Sequence, residues 1–290
     1  MKTGILLVAS GTRDPAAACS LESIGRRVAE RFKDVEVRWS YTSGVIRKKL
    51  AQRGTPVEAP GQALTRMTAE GFTHVAVGSL HLIAGMEYDL VREAVTLLSH
   101  KPNSPARFAL SKPLLGSYED LRRTAAAVLA ELPAGRAGGD AVILVGHGND
   151  AHPADLAYTA AAHVFSQLDR HVFLGTVKGH PALDDVLSRC RAAAVKKAWL
   201  LPFTVVAGRS TGETITGTGE GTWRSILTGT GIECVPVLKG LAEYDGVAAI
   251  WTDHIEEALR TVIAARPYGI RCTSCPRRRR PGAQRPAPSG

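Results

Sequence analysis

The sequence predicts an α/β protein made of two similar αβα lobes, each built on a parallel sheet. Three observations lead there. Short apolar runs alternate with amphipathic stretches of roughly 10–15 residues through positions 1–265. The runs are apolar on both sides, as strands covered by helices on two faces must be. The order of the first half then recurs, residue pattern included, in the second.

In the first half the predicted strands are 4–9, 35–41, 74–80 and 107–110, each ending near Gly, Ser, Thr or Pro. Helical periodicity fills 19–31, 45–52, 60–70, 87–98 and 118–132. In the second half the strands are 141–145, 172–175, 197–201 and 234–237, with helices over 153–167, 183–193, 222–227 and 247–258. Gly208 to Gly221, rich in Gly and Thr, reads as a loop able to close over a ligand.

Three pairs of stretches support a duplication. Ile5-Leu6-Leu7-Val8-Ala9-Ser10-Gly11 matches Val142-Ile143-Leu144-Val145-Gly146-His147-Gly148, and Ile83-Ala84-Gly85-Met86-Glu87 matches Val206-Ala207-Gly208-Arg209-Ser210. Pro113 to Asp120 likewise faces Pro236 to Asp245. The predicted units are therefore 1–135 and 136–265, joined through a Pro/Gly-rich stretch, with 266–290 as a basic, unstructured tail.

Composition narrows the function. At 290 residues, 44% hydrophobic and 22% charged, the chain can bury a core without disulfides or a structural metal. Its net charge of +9 owes seven to arginines in the last 25 residues, which contain no Lys, Asp or Glu; the lobes carry only the remaining +2. A nucleic-acid surface is thus not expected outside the tail. No apolar run is long enough to span a membrane. The five scattered cysteines do not read as a secreted framework, so a cytoplasmic protein is expected, with homo-oligomerisation left open. Cys272-x-x-Cys275 alone is weak as a redox or zinc motif. A P-loop, a dinucleotide fingerprint and a nucleophile elbow are all missing, and no nucleotide cofactor is expected.

Folds of this kind place ligands beyond the carboxyl ends of their strands. His147, in Gly146-His147-Gly148 directly after a strand, can ligate a divalent ion or accept a proton near neutral pH; a helix-capping role is the plain alternative. His81 and Glu87 lie on one strand-to-helix connection, though Glu87 equally suits the first turn of a helix. His180 also follows a strand. Arg13, Arg47, Lys178 and Arg209 sit within a few residues of strand ends, where they could hold carboxylates or phosphates.

Five stretches carry a resemblance: Leu6 to Thr12, Thr42-Ser43-Gly44-Val45-Ile46-Arg47-Lys48-Lys49-Leu50, Ser79-Leu80-His81-Leu82-Ile83-Ala84-Gly85-Met86-Glu87-Tyr88, Val145-Gly146-His147-Gly148 and Leu201 to Gly208. In that order and spacing they resemble the anaerobic-pathway sirohydrochlorin cobalt chelatases, among the class II tetrapyrrole chelatases. The resemblance implies a pseudo-two-fold axis between the lobes. It also implies insertion of Co²⁺, in some members Fe²⁺, into sirohydrochlorin without ATP, in cobalamin or siroheme biosynthesis.

Such enzymes bind the metal through a histidine in Gly-His-Gly, a glutamate in Val-Glu-x-Tyr-Pro and a histidine in Val-Ala-Gly-Asp-His. Here the first falls on His147, but the second falls on Lys178 and the third on Ser210. A lysine cation repels a divalent ion, and serine is a poor neutral ligand. The expectation is that His147 acts as ligand and proton acceptor, with Glu87 and His180 replacing the missing ligands. Arg13, Arg47, Lys178, Arg209 and His81 would hold the anionic ring. A non-catalytic tetrapyrrole or metal carrier derived from the enzyme is the alternative.

Overall fold

The computed structural model describes residues 1–102, 104–149 and 152–264. The basic tail, with Cys272 and Cys275, lies outside the described residues. The first lobe runs β1 (Thr3–Ala9), α1 (Pro15–Arg31), β2 (Glu36–Tyr41), α2 (Gly44–Ala51), α3 (Pro60–Ala69), β3 (His74–Ser79), α4 (Met86–Ser99), β4 (Arg107–Leu110) and α5 (Tyr118–Ala130). The second runs β5 (Ala141–Gly146), α6 (Leu156–Leu168), β6 (Val172–Thr176), α7 (Leu183–Ala192), β7 (Lys197–Pro202), α8 (Arg209–Thr216), α9 (Trp223–Gly229) and β8 (Glu233–Pro236), and α10 (Asp245–Ala264) closes the chain. Both sheets have four parallel strands, in the orders β2-β1-β3-β4 and β6-β5-β7-β8. The two halves thus share one winding as well as one sequence pattern.

The central strands explain the continuous apolar runs. Ile5, Leu6, Leu7 and Val8 of β1 are fully buried, as are Val142, Ile143 and Val145 of β5. Alternate residues serve different layers: Leu6 and Val8 face Leu64, Met67 and Val91, whereas Ile5 and Leu7 join the central core. That central core is shared by both lobes, linking β1 and α1 to Val142, Leu144, Phe165, Tyr244 and Trp251.

Two elements depart from the sequence expectation. Residues expected to be a loop form α8, two turns whose first amide is bonded by the first lobe (below). The helix expected within the second unit, α10, packs on β3, β4 and α5 of the first. Gly78 of β3 lets it approach: a Cβ there would stand 2.8 Å from Ile255 Cγ1. Buried His254 and Asp120 add a polar tie between α10 and α5, with Nε2 and Oδ1 3.1 Å apart.

Candidate functional site

Each β5–β6 and β1–β3 sheet end delivers short loops to the carboxyl edge. In the second lobe His147 follows β5 and is exposed. Beyond the strands the ladder continues: Val177 N donates to Gly146 O (3.0 Å) and Lys178 N donates to His147 O (2.9 Å). Gly148 makes this crossing feasible. Its φ is +75°, and a Cβ would overlap the Lys178 carbonyl oxygen. His147 and Lys178 are therefore adjacent on neighbouring loops.

Asp155 braces the same two loops. Its Oδ1 accepts Asn149 N (2.8 Å) and its Oδ2 accepts His180 N (2.9 Å). His180 itself is 82% exposed at the side chain, with Nδ1 4.0 Å from Asp185 Oδ2. Among the described residues no three His, Cys, Asp or Glu side chains gather into a set able to hold a metal ion. The expected set of His147, Glu87 and His180 is thus not assembled in this structure, because the turn carrying His180 is tied to Asp155 and its ring lies out beside Asp185.

In the first lobe, Glu87 sits in the first turn of α4, where the helix dipole favours a carboxylate. Ser10, the residue after β1, donates its hydroxyl to Glu87 Oε2. His81 Nε2 lies 3.7 Å from that oxygen and has no hydrogen-bond partner of its own. Its Nδ1 faces Ser79 Oγ at 2.9 Å, and Tyr88 stands edge-on to the ring. Burial pushes the His81 imidazole down to about 4, so it is neutral at physiological pH. A buried neutral ring does not grip a carboxylate by charge, so any hold of His81 on an anionic ring would be by a hydrogen bond.

The remaining cations fit that role better. Arg13, Lys178 and Arg209 are exposed at strand ends or just beyond. Arg47 of α2 lines a groove of about 760 Å³ together with Gln62, Thr65 and Arg66 of α3. None of the four forms an ion pair with a carboxylate among the described residues. Cations without a carboxylate partner create a field that attracts anions.

The lobes touch at this edge in two related ways. Asp14 caps α1, and its Oδ2 also accepts Arg209 N at the start of α8 (3.1 Å). Reciprocally, His152 Nε2 donates to Asp89 Oδ2 in the first turn of α4 (3.2 Å), while its Nδ1 accepts Ala154 N. In each case a loop after the lobe's first strand meets the helix start after the other lobe's third strand. Gly85 belongs to the second contact, where a Cβ would stand 2.5 Å from Asn149 Nδ2. Sequence reasoning missed Asp14, Asp89 and Asp155. Only Asp14 left a signal, as an acidic residue before Pro15 at a helix start.

The family model for cobalt chelatase (CbiK) matches residues 3–260. The chain is 40% identical over 259 residues to the sirohydrochlorin cobaltochelatase CbiKC of Nitratidesulfovibrio vulgaris, covering 89% of this chain and 91% of that one. To the sirohydrochlorin cobaltochelatase of Salmonella typhimurium it is 30% identical over 265 residues, covering 91% and 98%. Among solved structures, SirB from Bacillus subtilis with Fe³⁺ has a TM-score of 0.61 at 16% identity, covering 89% of this chain and 96% of that one. The sirohydrochlorin chelatase SirB from Bacillus subtilis subspecies spizizenii in complex with cobalt has a TM-score of 0.60 at 16% identity, covering 90% and 97%. At that identity the structural likeness speaks to the fold alone.

Proposed function

Because the chain belongs to the CbiK cobalt chelatase family, we propose that it inserts Co²⁺ into sirohydrochlorin, without ATP, at the carboxyl edge shared by its two sheets. The observation that carries this reading is the exposed His147 at an edge with cations that form no ion pair among the described residues. Arg13, Lys178 and Arg209, with Arg47 further out, suit a flat ring bearing many carboxylates, by charge-assisted hydrogen bonds.

Insertion replaces two pyrrole N–H bonds with bonds to the metal and releases two protons. His147, as an exposed imidazole, serves as proton acceptor and transient ligand. Glu87 offers a carboxylate from the other lobe, where it is bonded to Ser10 rather than gathered with His147. Lys178 strengthens the hold on an anionic ring and weakens metal capture beside His147. The same chemistry extends to Fe²⁺, which differs from Co²⁺ in ligand affinity rather than in proton balance. The unusual second and third positions, Lys178 and Ser210, favour a second reading, a carrier that binds the ring without metallating it.

Anaerobic absorption spectroscopy of sirohydrochlorin with Co²⁺, and in parallel Fe²⁺, separates the two. Accelerated loss of the free-ring spectrum, slowed by His147→Ala, is expected. Tight ring binding with no acceleration over the protein-free rate would overturn the enzymatic reading and leave the carrier.

A further inference from the structure

The two contacts that join the lobes at the carboxyl edge differ in what supplies them. Asp14 reaches a main-chain amide, that of Arg209. His152 and Asp89 meet side chain to side chain, with 3.2 Å between Nε2 and Oδ2. His152 lies in the loop after β5 that also carries His147, and Asp89 lies in the first turn of α4. This one bond therefore runs from the loop that presents His147 to an element of the other lobe.

Both ends of the bond are fixed in direction. His152 Nδ1 accepts Ala154 N at 3.1 Å, which leaves the ring proton on Nε2, pointing at Asp89. Arg92 Nη2 stands 2.9 Å from Asp89 Oδ1, leaving Oδ2 to the imidazole. The two side chains are 21% and 34% exposed, so water competes weakly for the bond. Gly85, the residue before α4, keeps the same approach open, because a Cβ there would stand 2.5 Å from Asn149 Nδ2. The lobes do not need this bond to associate: the shared apolar core and the packing of α10 on β3 and β4 already join them. What the bond decides is where a polar loop lies at the rim of that core.

We propose that His152 and Asp89 are positioning residues for metal insertion. Their bond anchors the His147 loop of the second lobe to the α4 turn of the first, so that the imidazole meets the ring from a set place. They act through the loop rather than by touching ring or metal. A proton acceptor must stand within hydrogen-bond reach of the proton it removes, and a displacement of about 1 Å can cost about a hundredfold in rate. The ring is held by Arg13, Lys178 and Arg209, so freeing the loop slows turnover and spares binding. The role in turnover rests on the function proposed above; the anchoring of the loop does not.

The test uses the full-length protein, with Asp89→Ala as the primary variant because His152→Ala also removes the acceptor of Ala154 N. Each is expected to lower kcat for Co²⁺ insertion by about tenfold or more, with KM for sirohydrochlorin within about threefold of the parent. The double variant should lose little beyond the worse single one, since both changes break the same bond. Asp89→Asn keeps an acceptor oxygen for His152 and should recover most of kcat. Hydrogen exchange without ring or metal reads the anchoring itself. Asp89→Ala, a change in the first lobe, should speed exchange of the Asn149 amide in the second, which Asp155 otherwise protects. Circular dichroism checks that each variant keeps its fold. Unchanged exchange at Asn149 would overturn the anchoring. Additive losses in the double variant, or a rise in KM with kcat intact, would overturn the positioning role. A parent that inserts no metal defeats the chelatase reading and the role in turnover together, whereas faster Asn149 exchange in that same protein still upholds the anchored loop.

Discussion

Gly148→Ala is the sharpest probe of how the second-lobe loops are held. The residue has φ +75°, a region that costs a side-chain-bearing residue about 1–2 kcal/mol. The new methyl would also overlap the Lys178 carbonyl, a backbone group that moves only with its loop. Displacing that loop puts at risk the bonds from Lys178 N to His147 O and from Val177 N to Gly146 O. At about 0.5–1.5 kcal/mol each, their loss brings the expected destabilisation to about 2–5 kcal/mol. Equilibrium urea unfolding measures it, with Gly219→Ala as control because a Cβ at Gly219 meets nothing within 4 Å. Metal insertion measured alongside should fall much further than the folded fraction, since His147 and Lys178 lose their adjacency. A Gly148→Ala protein within 0.5 kcal/mol of the parent, a margin ordinary for surface substitutions, would refute the loop crossing as described.

Asp155→Ala leaves the amides of Asn149 and His180 without their acceptor and should cost about 1–3 kcal/mol by the same unfolding assay; Asp155→Asn should recover part of it. His81 is held neutral, so the unfolded chain takes up a proton that the native state refuses. Stability should fall as pH drops from about 6.5 to about 4, by about 3 kcal/mol, and unfolding of His81→Gln across that window should be flatter. Lys178→Glu exchanges a cation for a carboxylate beside His147. It should tighten Co²⁺ in direct titration and weaken sirohydrochlorin binding, with the ring affinity of the variant less sensitive to salt.

The strands and most helices were legible because buried parallel strands leave uninterrupted apolar runs, as β1 and β5 do. Boundaries slipped where the stabilising group lies outside the segment. The start of α1 was missed by four residues, although Asp14 and Pro15 mark it as a capped N-terminus. Gly208 to Gly221 read as a loop since Gly and Thr are weak helix formers, yet Asp14, from the other lobe, accepts the amide that begins α8. That contact is tertiary and leaves no local trace. Glu87 was legible as a helix-start acid, but its bond from Ser10 joins positions 77 apart. The orphaned nitrogen of His81 was invisible for the same reason. A histidine after a strand shows its chemistry in the sequence, whereas its burial depends on what packs above it.

The last helix gives the duplication an unequal ending. Because α10 begins after the second sheet is complete and then lies across the first, the amino-terminal lobe is covered by the final part of the described chain to emerge from the ribosome. Until those residues arrive, the faces of β3 and β4 stay open to water and the nascent protein is unfinished. The two halves are interdependent through this helix, so separating the chain near position 135 is expected to yield two fragments that need one another rather than two working modules.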